Sequence, residues 1–396
     1  MTDHPGPYGA EQPRGNVAAA QALGQSVWLD NLSRRLIRSG RLDRLRDLGV
    51  TGITSNPTIF QKAVAGSNDY QEGLRELVTR GRAPHDILWD LMVEDVVAAA
   101  DSFRPVFDSH GGRDGFVSIE VSPTVAHSTE ATVAMARDLR RRCNRPNVMV
   151  KIPATREGVA AIQTMISEGA NINVTLIFSV QRYQEVVEAF LSGLETLARN
   201  GGDVAQVNSV ASFFVSRVDT KVDALIDTRL AGALSDDAKR GLESIRGTIG
   251  IANSKMAYQR FLALHSGARW EALAGAGAVP QRCLWASTSV KDPRYPDTLY
   301  VDNLIGAATV DTMPEATLEA LVDHGSVRAR LGANLDGARA HLDQLQRCGF
   351  SLDQVTDDLE REGVAAFEKS YQELGHTLTE AVGELVGHSD GSVSDG

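Results

Sequence analysis

Short apolar segments alternate with longer segments of helical periodicity along most of the chain. All but the last of the short segments are rich in β-branched and aromatic residues, which is typical of buried parallel strands. Eight strands with intervening helices predict a single closed (β/α)8 TIM barrel with extra covering helices, and an open doubly wound sheet is the structural alternative. The predicted strands are residues 26–32, 52–57, 116–122, 147–154, 171–179, 207–215, 282–290 and 309–314.

The two ends of the chain depart from this alternation. Residues 1–20 are rich in glycine, proline and polar groups and residues 388–396 read similarly, so both are predicted to be flexible tails. No linker interrupts the pattern between them, which indicates one barrel domain over residues 21–387. Residues 218–280, between the sixth and seventh strands, form a long excursion in which we expect two or three helices.

Helical periodicity also characterises the C-terminal third of the chain. We expect its helices to cover the barrel, with a helix-mediated dimer contact as the alternative. Two helix faces are predicted from regularly spaced apolar residues: Leu331, Leu335, Leu342 and Leu345 on one, and Val364, Phe367, Tyr371 and Leu374 on the other.

Composition narrows the class of function. Hydrophobic residues make up 42% of the 396, enough for a substantial core, which argues against global disorder. The net charge of −11 disfavours a general nucleic-acid binder, which needs a basic face, but it allows a local basic pocket for a small anion. No run approaches the ~18 apolar residues of a membrane helix, and the N-terminal residues do not resemble a secretory signal.

Cysteine and lysine usage add two further constraints. Cys143, Cys283 and Cys348 lie far apart, which indicates neither a disulfide framework nor a zinc site, so a reduced, cytoplasmic setting is expected. Only seven of the 40 basic residues are lysine. A retained lysine is informative in such a chain, because arginine replaces it as a surface charge but not as a nucleophilic amine.

Polar residues at the carboxyl ends of the predicted strands are the candidate site, because barrels present their functional side chains there. Lys151 is the sharpest candidate, since it alternates with apolar neighbours in a predicted strand. Burial lowers the pKa of a lysine side chain, and the neutral amine can attack a ketone to form a Schiff base. The alternative is a structural lysine paired with a barrel carboxylate. The other candidates at these strand ends are Asp30, Asn56, Glu120, Asn173, Thr175, Ser212, Ser287 and Lys291.

The carboxylates and amides among these candidates fit a polyol substrate, although each has a structural alternative. Asp30 and Glu120 can divide acid and base roles around one amine, or form ion pairs. Asn56 lies in a segment that also suits a turn and a helix start. Asn173 and Thr175 share one face of a strand, where buried polar groups need the partners that a polyol would supply.

Four segments of this chain resemble the transaldolase family. Residues 52–60 (GITSNPTIF) resemble its first signature. Residues 148–158 (VMVKIPATREG), continuing through 172–179 (INVTLIFS), resemble the second, which holds the Schiff-base lysine. Residues 212–217 (SFFVSR) are similar to the family's S-x-F-x-x-R stretch, and 362–370 (EGVAAFEKS) to its C-terminal region.

The resemblance spans roughly residues 20–385 and implies a (β/α)8 barrel that transfers a dihydroxyacetone unit without a cofactor. The donor would be a ketose phosphate such as sedoheptulose 7-phosphate or fructose 6-phosphate. The acceptor would be glyceraldehyde 3-phosphate or erythrose 4-phosphate, in the non-oxidative pentose phosphate pathway. Such a protein would have sugar phosphates as its partners, not nucleic acid or membranes, and would be a monomer or a homodimer.

The resemblance also implies roles for individual residues. Lys151 would form the imine, and Glu120 would transfer protons during dehydration through a water held by Thr175. Asp30 would take the proton of the C4 hydroxyl as the C3–C4 bond breaks.

The substrate-binding residues are implied in the same way. Asn56 and Asn173 would hold the dihydroxyacetone hydroxyls, and Ser212 would line the site.

Two alternative functions remain. One is a fructose-6-phosphate aldolase, which tends to have Gln at the position of Glu120 and Tyr at that of Phe214. The other is a catalytically silent barrel that only binds its partner. Glu120, Phe214 and the length of the chain favour the transaldolase.

Phosphate binding is the role in which this chain departs from the family. Arg217 would hold the substrate phosphate, as suits a bidentate cation. Many family members have a second arginine after the seventh strand, where this chain offers Lys291, and Ser287 would share its role. A solvated loop charge is the alternative for Lys291.

Overall fold

A computed structural model describes residues 15–65 and 68–390. Eight parallel strands follow one another around a closed barrel, and β8 pairs with β1. This closure confirms the predicted TIM barrel and excludes the open sheet. The strands are β1 (Gln25–Asp30), β2 (Gly52–Thr54), β3 (Val117–Glu120), β4 (Val148–Pro153), β5 (Ile172–Ile177), β6 (Ser209–Phe214), β7 (Arg282–Ala286) and β8 (Thr309–Met313).

Helices connect the strands and cover the barrel, as the spacing of apolar residues predicts. Most place buried residues against the outer face of the strands. The helices are α1 (Asn16–Ala22), α2 (Arg34–Arg38), α3 (Arg41–Asp47), α4 (Pro57–Ala65), α5 (Gln71–Thr79), α6 (Pro84–Ser109), α7 (Thr129–Cys143), α8 (Arg156–Ser167), α9 (Val180–Arg199), α10 (Ser216–Leu230), α11 (Asp236–Glu243), α12 (Ile249–Leu264), α13 (Ala268–Gly275), α14 (Leu299–Asn303), α15 (Glu315–His324), α16 (Leu335–Arg347) and α17 (Leu352–Asp390).

A second apolar cluster includes side chains of several barrel strands. Trp28, Met149 and Leu284 project inward from three different strands and are fully buried. A Cβ at Gly52 would lie 2.6 Å from the Trp28 indole, so glycine is needed for this close packing. Trp28 and Met149 each lie two residues before a predicted site residue on the same strand, Asp30 and Lys151, so this apolar packing lies below the polar side chains at the carboxyl ends of these strands.

Three regions differ in detail from the sequence prediction. The excursion over 218–280 contains four helices, because the short α13 also forms there in addition to α10, α11 and α12. Leu331 precedes α16 and packs against Gly306, so it does not share a helix with Leu335. Periodicity missed both points because α13 is only eight residues long and Leu331 is buried by a loop contact.

The predicted tails are only partly described. The N-terminal range includes α1, which begins at Asn16, and the C-terminal range includes the end of α17. Residues 1–14 and 391–396 lie outside the described residues, so the division into tails and one domain stays a prediction. None of the helices in the described part of the chain is long and apolar enough to cross a membrane.

Candidate active site

A cavity of about 310 Å³ opens at the carboxyl ends of the strands. The barrel brings together there side chains that are far apart in the sequence. Glu120 and Asn173, two of the predicted site residues, do not line the cavity and lie beneath its surface. The other nine do line it: Asp30, Asn56, Lys151, Thr175, Ser212, Phe214, Arg217, Ser287 and Lys291.

Lys151 and Glu120 form a buried ion pair on neighbouring strands. The β3–β4 register places the two residues side by side, and the Lys151 Nζ lies 3.0 Å from the Glu120 Oε2. Only 4% of Lys151 and 3% of Glu120 is exposed. Lys151 also donates a hydrogen bond to the Ser55 carbonyl at 3.1 Å. Burial raises the pKa of Glu120 above its usual range, although the Lys151 charge opposes the shift.

Asp30 is a second carboxylate beside the same amine. The Thr54 hydroxyl donates to the Asp30 Oδ1 at 2.8 Å, and Thr54 lies 2.6 Å from the Thr312 hydroxyl. Burial raises the pKa of Asp30, while the charge of Lys151 and the Thr54 hydrogen bond lower it. Lys151 therefore has Glu120 beneath the cavity surface and Asp30 in the cavity wall, and burial raises the pKa of both carboxyl groups.

An irregularity in β5 surrounds Thr175. The register between β5 and β6 shifts between Val174 and Ile177, and Leu176 adopts a left-handed φ of 59°. Thr175 is fully buried, lines the cavity, and its hydroxyl has no hydrogen-bond partner among the described residues. A buried hydroxyl of this kind is suited to hold a water or a substrate group.

Asn173 forms hydrogen bonds with two serines beneath the cavity surface. Its Oδ1 accepts a hydrogen bond from the Ser212 hydroxyl at 2.7 Å, and its Nδ2 donates to the Ser118 hydroxyl at 3.1 Å. Asn173 is fully buried, whereas Ser212 lines the cavity. In this structure Asn173 therefore orients Ser212 from below.

Asn56 combines the two roles considered from its sequence context. Its Oδ1 accepts the backbone N–H of Ile59 at 3.0 Å and so supports the start of α4, as the turn interpretation predicts. Asn56 also lines the cavity. The amide nitrogen therefore remains the group suited to donate to a substrate hydroxyl.

Two cations, Arg217 and Lys291, also line the cavity. The Arg217 guanidinium lies 5.0 Å from the centre of the Phe214 ring, and a Cβ at Gly363 would be 3.7 Å from its Nη1. Within the described residues, Arg217 makes no hydrogen bond and no ion pair. Burial lowers the pKa of Arg217. Lys291 donates to the Ser289 hydroxyl at 2.5 Å, and partial burial together with the Arg217 charge lowers its pKa.

Ser287 lies at a strained point of the loop after β7. Its φ is 57°, which is uncommon for a residue with a side chain. Its hydroxyl lies 2.9 Å from that of Ser216. The next residue, Thr288, donates to the Asp311 carboxylate at 2.9 Å. Asp311 is fully buried, and burial raises its pKa to about 7.

Sequence reasoning missed several residues that line the cavity. The apolar periodicity places Phe367 only on a covering helix. In the structure its ring centre lies 5.9 Å from the Lys151 Nζ, above the amine, and the residue lines the cavity. Thr58 of α4 donates to Ser370 of α17 at 2.8 Å, which fastens the two helices together beside the cavity. Lys62 is a further lining residue, and its place among only seven lysines was the one signal that could have found it.

Comparison with known proteins agrees with this arrangement. The family described as Transaldolase/Fructose-6-phosphate aldolase matches residues 27–378. The chain belongs to this family. The transaldolase of Saccharopolyspora erythraea is 48% identical over 370 residues, which cover 92% of this chain and 97% of that protein.

Further relatives agree with the first. Transaldolase 1 of Streptomyces coelicolor is 50% identical over 364 residues, covering 91% of this chain and 93% of that protein. The transaldolase of Thermobifida fusca is 47% identical over 368 residues, which cover 92% of this chain and 97% of that protein. These relatives confirm the expected family, the expectation of a transferase, and the transaldolase function that the resemblance implies.

Proposed function

We propose that this chain transfers a dihydroxyacetone unit from a ketose phosphate to an aldose phosphate through a Schiff base on Lys151. The observation that carries the proposal is the buried Lys151–Glu120 pair beside a cavity that is also lined by Arg217, which has no ion-pair partner among the described residues. A sugar phosphate with a ketone can present its carbonyl to the amine and its phosphate to the guanidinium within this one cavity.

Imine formation uses the groups around Lys151. Transfer of its proton to Glu120 leaves a neutral amine, whose Nζ attacks the C2 carbonyl to form a carbinolamine. Glu120 then returns a proton to the C2 hydroxyl, which leaves as water. The hydroxyl of Thr175 is suited to hold the water that relays these protons, because it lines the cavity and lacks another partner among the described residues.

Carbon–carbon cleavage uses Asp30. Its carboxylate accepts the proton of the C4 hydroxyl, and the C3–C4 bond breaks so that an aldose phosphate leaves. The electron pair of that bond moves into the protonated imine and leaves an enamine on Lys151. An incoming aldose phosphate is attacked by this enamine at its aldehyde carbon, after which the same steps run in reverse and hydrolysis frees Lys151.

Substrate recognition would divide between residues that bind the phosphate and residues that bind the sugar hydroxyls. Arg217 would bind the phosphate, and Lys291 and Ser287 would support it in place of the family's second arginine. Asn56 and Ser212 would bind the dihydroxyacetone hydroxyls, with Asn173 holding Ser212. The proposed donors are sedoheptulose 7-phosphate and fructose 6-phosphate, and the proposed acceptors are glyceraldehyde 3-phosphate and erythrose 4-phosphate. A cytoplasmic location and a monomeric or homodimeric state belong to the same proposal.

Borohydride trapping tests the proposal directly. With fructose 6-phosphate, we expect reduction to leave a dihydroxyacetone-sized adduct on Lys151 that peptide mass spectrometry locates, and erythrose 4-phosphate should discharge it before reduction. The Lys151→Arg variant should fold but form no adduct. Lys221→Arg is the matched control, because Lys221 pairs with Glu362 on the outer surface. Substantial turnover by Lys151→Arg would overturn the assignment.

The Asp30→Asn variant separates the two chemical stages. We expect it to form the imine with fructose 6-phosphate but to cleave it slowly, so that a six-carbon phosphate adduct accumulates under borohydride. Loss of imine formation would instead place Asp30 earlier in the sequence of steps. Release of free dihydroxyacetone by the unaltered protein, without transfer to an acceptor, would favour an aldolase-like lyase.

A further inference from the structure

A second, larger cavity lies at the opposite end of the barrel from the candidate active site. This basal cleft has a volume of about 720 Å³, and the residue that begins β4, Val148, lies in its wall. Lys151, three residues further along the same strand, lines the catalytic cavity. Five arginines line the basal cleft: Arg113, Arg137, Arg140, Arg141 and Arg145.

The charge of the basal cleft is opposite to that of the whole chain. No aspartate or glutamate is among the described residues that line it, although the chain has a net charge of −11. Five guanidinium groups around one cavity repel each other unless counter-charges or a ligand offset them. The acidic composition of the chain therefore does not explain why arginines are concentrated in the wall of the basal cleft.

Two of the five arginines have no carboxylate within 4.0 Å in the described part of the chain. Arg113 donates to the Ala205 carbonyl at 3.0 Å. Arg140 donates to the carbonyls of Glu168 and Gly169 at 3.1 and 2.9 Å. A guanidinium has five N–H donors, so each keeps donors for a further acceptor while these contacts fix its position.

The remaining three arginines form ion pairs at the rim of the cleft. Arg137 pairs with Glu168 and Arg145 with Asp101, while Arg141 pairs within its own helix. Exposed ion pairs contribute little to stability, so they rearrange readily around a stronger anion. Favourable interaction with the α7 dipole accounts for the arginines in its last turn but not for Arg113, which belongs to another loop.

We propose that the basal cleft is a second binding site, which takes a multiply charged phosphate compound of nucleotide size. Arginine forks bind phosphate oxygens in pairs, and several of them along one wall match a chain of phosphates better than a single one. The cleft volume falls in the range of ordinary ligand pockets. The amides of Asn144, Asn171 and Asn208 line the same space and can bind the remainder of the ligand. Binding here needs none of the chemistry proposed for Lys151.

Calorimetric titration with inorganic tripolyphosphate and with ATP tests the site. We expect both to bind the unaltered protein, and the Arg113→Gln/Arg140→Gln double variant to bind at least about tenfold more weakly, ~1.4 kcal/mol. The Arg217→Gln variant should retain this binding, because Arg217 lies in the other cavity. Arg104→Gln is the matched control, since Arg104 pairs with Asp108 and does not line the cleft.

Circular dichroism and turnover of fructose 6-phosphate establish that each cleft variant is folded. Arg141→Gln gives an independent reading if the double variant does not fold, because its side chain is 77% exposed, and we expect weaker binding there as well. Tighter binding of ATP than of tripolyphosphate would identify a nucleotide as the ligand, and equal binding would identify the phosphate chain alone. No binding of either compound, or binding lost in Arg217→Gln but kept in the cleft variants, would overturn the proposal.

Discussion

The Nζ of Lys151 lies 3.0 Å from the carboxylate of Glu120, and at most 5% of either side chain is exposed. A buried pair of this kind is costly to desolvate, and similar-sized apolar residues often give equal or greater stability. The Lys151–Glu120 pair is therefore better explained by proton transfer than by stability. A short movement of one proton converts the charged pair into a neutral amine and a carboxylic acid. The ring centre of Phe367 lies 5.9 Å from the same Nζ, and Phe367 lines the cavity.

Replacing Glu120 by glutamine should therefore affect chemistry more than folding. The amide has almost the same shape but cannot exchange a proton with Lys151, so we expect turnover to fall by about 10²–10⁴-fold. Borohydride trapping at a series of reaction times should show that the rate of imine formation falls. The matched control is Glu362→Gln, which breaks an exposed lysine–glutamate pair. Equal loss of activity in both variants would contradict a proton-transfer role for Glu120.

Replacing Arg217 by glutamine should weaken binding of the phosphate end of the substrate. A hydrogen bond to a charged group contributes about 1.5–3 kcal/mol, so KM for fructose 6-phosphate should rise by roughly 10- to 100-fold. Cleavage of unphosphorylated fructose should change little. Lys291→Gln should raise the same KM by a smaller factor, because Lys291 lies at the exposed mouth. An equal effect of Arg217→Gln on fructose and its phosphate would argue against phosphate binding.

Replacing Phe367 by leucine should admit water above Lys151. The enamine would then be protonated more often before an acceptor arrives, so release of free dihydroxyacetone relative to transfer should rise about tenfold, equivalent to ~1.4 kcal/mol between the two barriers. The measurement is the product ratio from fructose 6-phosphate with and without erythrose 4-phosphate. Tyr371→Phe on the same helix is the control, since the Tyr371 hydroxyl accepts a hydrogen bond from the Trp89 indole and Tyr371 does not line the cavity. An unchanged ratio would show that Phe367 does not exclude water.

Asp311 should make stability depend on pH. Its pKa of about 7 in the folded state exceeds its ordinary value of 3.8, so the folded protein holds the proton more tightly than the unfolded chain. The contribution of Asp311 to stability therefore falls as pH rises from about 4 to about 7. Asp311→Asn removes this loss and keeps an acceptor for Thr288.

The free energy of unfolding gained by Asp311→Asn should thus grow between about pH 4 and pH 7 and then level off. Because one pKa unit corresponds to about 1.4 kcal/mol, the gain should reach on the order of a few kcal/mol. Urea unfolding at several pH values measures it. Asp343→Asn, on the exposed side of α16, is the control and should show no such trend. A gain that does not change with pH would show that Asp311 titrates alike in both states.

The barrel and much of its site were predictable because they follow from local patterns. All eight predicted strands overlap the observed ones, since buried strands select apolar residues over a few consecutive positions. Lys151, Asp30 and Glu120 were found because a charged residue at the end of such a strand must face the barrel opening or find a partner.

Other features depended on how the barrel closes and could not be derived from local patterns. Thr58 meets Ser370 across 312 residues, and this contact brings α17 and Phe367 over Lys151. The hydrogen bonds of Asn173 to Ser118 and Ser212 join strands that are far apart in the sequence, and the basal cleft combines arginines of α7 with Arg113 and Arg145 from loops. Sequence periodicity determined which faces are buried and thus the fold. Only the tertiary structure decided which distant side chains meet, because contacts across the barrel leave no repeating trace along the chain.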